Sequence, residues 1–323
     1  MYEVPMANIN PRWSTPSTIL FATEIPTDEK AFAFALAQAA ELSASIIVFH
    51  ANGRLDVTDT EASGPPLVDY ATARAMKERL EPLARRAKAL GIECNIVVRS
   101  GLACDQILSL LRERKIDRVV IGSRSPGPIG KLLVGSVAEA VLRTADVPVC
   151  IVGPNVNEGS FHNLDTRTIL CDVSTEAVRR AVASFAAQVA AMHKADLILQ
   201  QVICPQEGAE VLAGRTIGQA EAELLSLVPT EFKANVNVRT MVVLGDPTEE
   251  LLYEGRKQRA NLMVMGAQGA SQFAAITCAG TVYKVLAYSH CPVITLSPVV
   301  LRASGLTEQK PLTSEVHYLA GVI

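Results

Sequence analysis

The sequence predicts two copies of a three-layer α/β/α sandwich, each built on a five-stranded parallel sheet. Three observations predict it. Gly101, Gly122 and Pro148 recur as Gly245, Gly266 and Pro292, each 144 residues further on, so one domain is present twice. Short apolar runs of strand length alternate with longer stretches of helical periodicity in both halves. Strands of this kind, joined through helices, pair in parallel by right-handed crossovers, with both faces of the sheet covered.

The first copy opens on a strand at Thr18 to Thr23. Thr27 is an N-cap candidate ahead of Asp28 and Glu29, and the Ala-rich stretch to Leu42 is a helix. Ser45 to His50 is a second strand, and the polar connection Asn52 to Pro66 leads to a charged helix ending near Gly91. Strands at Glu93 to Arg99, Arg118 to Ile121 and Val147 to Val152 alternate with helices at Asp105 to Lys115 and Ser136 to Arg143.

The second copy follows the same course. A strand at Thr168 to Cys171 precedes a helix whose apolar positions, Val178, Val182, Phe185, Val189 and Met192, keep helical spacing. A strand at Asp196 to Val202, a long helix from Ile217 to Phe232 and a strand at Asn235 to Val243 come next. Asp246-Pro247-Thr248-Glu249 then reads as a capping box with proline at the first helical position. These elements give an N-terminal extension at 1–16, domains at 17–153 and 167–300, a polar linker at 154–166 and a surface tail at 301–323.

Composition narrows the function classes. A formal net charge of −3 supplies no general attraction for nucleic acid or an anionic membrane, and neither partner is expected. Met1 to Pro16 lacks the apolar core of a signal peptide, and no apolar run reaches membrane-spanning length. The seven cysteines carry no C-x-x-C pair and no histidine at metal spacing. They read as reduced, structural thiols of a cytoplasmic protein, and no metal centre is expected.

Parallel sheets of this class bind ligands at the carboxyl ends of their strands. At the end of the fourth strand the first copy runs Gly122-Ser123-Arg124-Ser125-Pro126-Gly127-Pro128-Ile129-Gly130-Lys131-Leu132-Leu133-Val134-Gly135-Ser136. Ser136-Val137-Ala138-Glu139 is a capping-box pattern opening a helix. Glycines that let the backbone approach, followed by a helix N-terminus with free N–H groups, suit a phosphate, and Lys131 and Arg124 add charge. The same residues also serve as a tight loop between a strand and a capped helix, with Lys131 solvated.

The arrangement resembles a tandem universal stress protein, with two such domains over roughly residues 15 to 300. Gly135-Ser136-Val137-Ala138-Glu139 with Val147-Pro148-Val149, and the Gly245-Asp246-Pro247 opening of a helix, carry that resemblance. It implies a Rossmann-like fold of the adenine nucleotide alpha hydrolase type. It also implies ATP, with Mg²⁺, as the ligand of those members that have G-x-x-G, nine residues, then G-S/T. Such members add an Asp after the first strand and a small apolar residue after the second, both near adenine. Both copies depart from this pattern. The first has Gly122, then Ser125 where the second glycine belongs, then Gly135-Ser136; its acidic residue is Glu24 and its small residue Ala51. The second keeps Asp172, Val202 and Gly266 with Gly269, but then has Gly280-Thr281, and Lys284 stands where the box glutamate belongs if Thr281 is the cap. The phosphate half therefore survives in the first copy and the adenine half in the second. The first copy is the favoured site, through Gly122, Ser123, Ser125, Gly130, Lys131, Gly135, Ser136, Val137, Glu24 and Ala51.

Three functions compete: a nucleotide-binding stress-response regulator, an adaptor of the same family that binds no nucleotide, and a slow ATP hydrolase. The last lacks a catalytic constellation. There is no S-G-G-x-D-S loop, no Walker A sequence and no GxSxG elbow. His50 reads as a hydrogen-bonded, half-buried ring and His290 as structural. The apolar last strands are expected to pair within the chain, as such domains pair in dimers, and a homodimer of whole chains is the further association left open.

Overall fold

The apolar runs read as strands from the sequence lie side by side in one central sheet. The computed structural model describes residues 10–53, 70–123, 135–157, 167–205, 216–267 and 279–305. In chain order the first copy comprises α1 (Pro11–Ser14), β1 (Thr18–Ala22), α2 (Glu29–Leu42), β2 (Ser45–Asn52), α3 (Tyr70–Ala89), β3 (Cys94–Ser100), α4 (Ala103–Glu113), β4 (Arg118–Gly122), α5 (Ser136–Thr144) and β5 (Val149–Val152). The second comprises β6 (Thr168–Asp172), α6 (Arg179–His193), β7 (Asp196–Ile203), α7 (Ile217–Ser226), α8 (Thr230–Lys233), β8 (Val238–Leu244), α9 (Pro247–Lys257), β9 (Leu262–Gly266), α10 (Ala279–Tyr288), β10 (Val293–Leu296) and α11 (Pro298–Ala303).

Within each copy the strands are parallel, and the order β3-β2-β1-β4-β5 is mirrored by β10-β9-β6-β7-β8. The expected pairing of last strands is present: β5 and β10 run antiparallel with Val293 opposite Ile151 and Ile294 opposite Cys150, making one ten-stranded sheet. Each face of that sheet carries one continuous apolar layer spanning both copies. One is built with α2, α3, α6 and α7, the other with α4, α5, α9 and α10.

Several boundaries differ from the sequence reading, each for a local reason. Asp28, not Thr27, caps α2; its Oδ1 accepts from the Ala31 N–H at 3.0 Å. The single helix expected over Ile217 to Phe232 is broken. Leu227 ends α7 and Pro229, with no N–H to donate, stands at the start of α8. The tail read from 301 begins inside α11, where Leu301 is fully buried and Ser297 caps by accepting from the Val300 N–H. The N-terminal extension is docked rather than loose at its described end. Asp117 Oδ2 accepts from the Ser17 and Thr18 N–H groups, while buried Arg118 donates to the Trp13 carbonyl and to Gln38. No described helix is long and apolar enough to cross a membrane.

Candidate functional site

A cleft of about 940 Å³ opens at the carboxyl ends of β1, β2 and β4 in the first copy. The end of β2 supplies Ala51 and His50, the β1–α2 connection supplies Glu24 and Asp28, β4 supplies Gly122, and α5 supplies Ser136 and Val137 behind Gly135. Six of the residues expected from the sequence therefore come together: Glu24, Ala51, Gly122, Gly135, Ser136 and Val137. Ser123 is buried just behind the wall, its N–H donating to the Val152 carbonyl at 2.9 Å and its Oγ without a hydrogen-bond partner among the described residues. Ser125, Gly130, Lys131 and, in the second copy, Gly269 lie outside the described residues.

The helix that faces the cleft starts differently from expectation. Gly135, not Ser136, is the N-cap of α5, with φ 90° and ψ 135°, and Ser136 is the first helical residue. Glu139 pairs with Arg143 at 2.6 Å instead of reaching back to a cap. The physical reason is the positive φ of Gly135, which turns the chain straight into the helix. No side chain caps α5, so its first N–H groups and positive dipole end are left for whatever enters the cleft. The same holds for α4: its N-cap, Leu102, makes no side-chain cap bond, and Ala103 lines the cleft.

Asp28 and the start of α4 belong to the wall but were not singled out as ligand contacts in the sequence. Asp28 stands so close to Gly122 that a Cβ there would overlap its carboxylate. That juxtaposition is tertiary, and no spacing in the chain announces it. The uncapped start of α4 was readable, since Gly101-Leu102-Ala103 stands where the second copy has Gly245-Asp246-Pro247.

On the cleft wall, His50 Nδ1 lies 3.0 Å from the Thr23 carbonyl and donates to it. The ring is half-buried and hydrogen-bonded, as read from the sequence. Among the described residues, the lining contains two carboxylates, Glu24 and Asp28, and no lysine or arginine.

In the second copy the corresponding positions hydrogen-bond to one another. Ile19 pairs with Arg118 and Ile169 with Leu262, so Ile169 is the counterpart of Ile19, Asp172 of Ala22 and Ser174 of Glu24. Asp172 is thus a strand residue and not the equivalent of Glu24. Its Oδ1 accepts from the Ser174 N–H and Oγ, and Ser174 Oγ in turn accepts from the Val202 N–H at 2.9 Å. Burial pushes the Asp172 carboxyl above its ordinary value, against the pull of the Ser174 bonds. At α9, Asp246 fills the N-terminus by accepting from Thr248 and Glu249, with Pro247 at the first position. Gly266 ends β9 against Val178 and Val182 of the opposite layer. Thr281, read as a cap, sits inside α10 and is buried, while Gly280 is exposed.

Cys94, Cys150, Cys171 and Cys291 are buried free thiols, and burial raises Cys150 and Cys291 to about 12. His290 Nε2 donates to the Ala260 carbonyl at 3.1 Å, and burial lowers the pKa of its ring. No group of three or more His, Cys, Asp or Glu able to hold a metal ion is found among the described residues.

Comparison with known proteins agrees with this architecture. The model of the universal stress protein family matches residues 16–153 and again 166–297. Among curated relatives, universal stress protein MJ0531 of Methanocaldococcus jannaschii is 29% identical over 129 residues, covering 39% of this chain and 75% of that protein. Universal stress protein YxiE of Bacillus subtilis is 25% identical over 131 residues, covering 38% and 88%. Among solved structures, a universal stress protein from Archaeoglobus fulgidus DSM 4304 has a TM-score of 0.66 at 19% identity, covering 88% of this chain and 97% of that one. A putative universal stress protein from Pseudomonas aeruginosa UCBPP-PA14 has a TM-score of 0.61 at 15% identity, covering 90% and 97%. At those identities the likeness is one of fold, and it extends across both copies. With the family's own model matched twice along its length, the chain belongs to the universal stress protein family, in tandem form.

Proposed function

We propose that the first copy binds an adenine nucleotide, ATP with Mg²⁺, and that the chain is a ligand-responsive stress regulator of the cytoplasm. The observation that carries this reading is the cleft itself: an opening of about 940 Å³ onto which a helix N-terminus without a side-chain cap faces. No atom of the described residues lies within 4 Å of the position of a Cβ on Gly135, which supports the approach of a bulky anion to the backbone there. Ser136 and Val137 would hold the phosphates and Ala51 would lie against the base. Mg²⁺ would supply the positive charge that the described lining lacks, and Glu24 and Asp28 are the lining carboxylates that could hold it. The second copy, whose Asp172, Ser174 and Val202 satisfy one another, serves as the structural partner.

Calorimetric titration of the full chain with ATP and Mg²⁺ tests this. Saturable binding that weakens at least tenfold in Gly135→Ala is the expected result; a flat titration sinks the reading. The adaptor reading is favoured by one observation, the self-satisfied second copy, and becomes the better one if no nucleotide raises the melting temperature. Hydrolysis stays third, because no general base is held against the α5 N-terminus among the described residues.

A further inference from the structure

The ten-stranded sheet ends in two edges, β3 on one side and β8 on the other, and neither has a second strand neighbour among the described residues. Strands are parallel within each copy and β5 meets β10 antiparallel, so β3 and β8 point in opposite directions. The helices beside these edges lie on one face. Leu80, Leu83, Ala84 and Ala87 of α3 and Leu224 of α7 belong to the same apolar layer. A second molecule displaced along the sheet therefore brings its β8 alongside β3 in the antiparallel sense. It also brings its α7 alongside α3.

The two helices are opposite in charge. Along α3, Arg74, Lys77, Arg79, Arg85, Arg86 and Lys88 stand against Glu78 and Glu81, six minus two, or +4. From Ile217 to Lys233, which covers α7 and α8, Glu221, Glu223 and Glu231 stand against Lys233, one minus three, or −2.

The flanks that would meet are also defined. Arg86 reaches back to Glu29 of α2 at 2.6 Å and so marks the inner flank of α3. At about 100° per residue, Lys77 and Lys88 lie roughly half a turn round from Arg86, on the outer flank, with Glu81 beside them, so that flank keeps a net positive charge of one. A quarter turn from the buried stripe in the same sense, which is where Lys77 and Lys88 stand in α3, leads in α7 from Ala220 and Leu224 to Ile217, Glu221 and Leu225. Ile217 and Leu225 are 52% and 41% exposed, an apolar flank with one carboxylate at its centre. Lysine stems cover apolar surface while the ammonium reaches an acid, so the two flanks are matched in both respects.

We propose that this chain docks end to end on a second copy of itself, the β3–α3 end of one molecule on the β8–α7 end of the next. The contact is heterologous and leaves the outer ends open, so association continues with concentration instead of stopping at a closed dimer. It is independent of any nucleotide.

Sedimentation velocity of the full chain over a wide concentration range tests it. In low salt the mean mass rises with concentration beyond one chain, and high salt returns it towards the monomer. Lys77→Glu with Lys88→Glu gives a monomer, as does Glu221→Lys, while the three substitutions together restore association. These positions are on the surface, and an unchanged circular dichroism spectrum shows that each variant is folded. A chain that stays monomeric at every concentration overturns the proposal, and so does association indifferent to the charge reversals.

Discussion

The hydroxyl of Ser297 donates to the carbonyl of Ala145 at the end of α5, joining the end of the second copy to the helix that faces the first copy's cleft. The counterpart of Ser297, 144 residues earlier, is Gly153. There the backbone comes so close that a Cβ would stand 2.8 Å from the Leu286 carbonyl of α10. One side of the junction is bridged by a side chain and the other has room for none. Asn155 Nδ2, donating to the Ala287 carbonyl at 3.3 Å, adds a bond on the crowded side.

Gly153→Ala should therefore strain the β5–β10 junction, because the obstructing atom is backbone and cannot swing away. A loss of about 1–3 kcal/mol is expected, and a comparable one for Ser297→Ala, which removes both its bond to Ala145 and its cap on the Val300 N–H. Urea unfolding of both variants checks the two losses.

Gly135→Ala should act on the cleft more than on the fold. Among the described residues no atom crowds the added Cβ, so the cost comes from φ 90°, a conformation that costs a residue with a side chain about 1–3 kcal/mol. Relaxing the turn swings the first amides of α5 away from the cleft. The expected outcome is a small drop in melting temperature with a much larger drop in nucleotide affinity.

Ser174→Ala should destabilise the second copy while leaving the first alone. It strips the Val202 N–H of its acceptor and removes a donor from buried Asp172, a loss of about 1–3 kcal/mol. Nucleotide titration of this variant should match that of the parent chain.

Acid should loosen the contact between the copies through Glu41. Burial works to raise its carboxyl, but His193 and Arg167 outweigh burial and hold it below the ordinary 4.5. A carboxyl lowered by folding stabilises the chain above its unfolded pKa, and that contribution is lost as pH falls through the folded value. His193 Nδ1 at 2.7 Å and Arg167 both reach Glu41 from the second copy. Below about pH 4.5 the parent chain should lose stability faster than Glu41→Gln, a difference that thermal melts across pH 3 to 6 would reveal.

Strand positions were legible because a buried parallel strand needs a continuous apolar run, and Ile19 to Ala22 or Val149 to Val152 has no other use. The pairing of β5 with β10 was readable for the same reason. Helix starts were legible only where one residue dominates. Asp246 before Pro247 left no alternative, whereas Thr27 and Asp28 both qualify, and the geometry of the β1–α2 connection chooses Asp28. The cleft was half legible. Glycine spacing located Gly122 and Gly135, but the position of Asp28 over Gly122 and the offset between Asp172 and Glu24 are set by strand register across the sheet.

Fusing two copies at β5 and β10 also fixes a stoichiometry. A symmetric pair of separate subunits carries twin clefts that must drift together, since one coding sequence specifies both. Here each half has its own codons, so the latter half was free to bind Ser174 to Asp172 and Val202 while the former kept Glu24 at the matching position. Any occupant of the open cleft should saturate at one molecule per polypeptide, along a simple hyperbola.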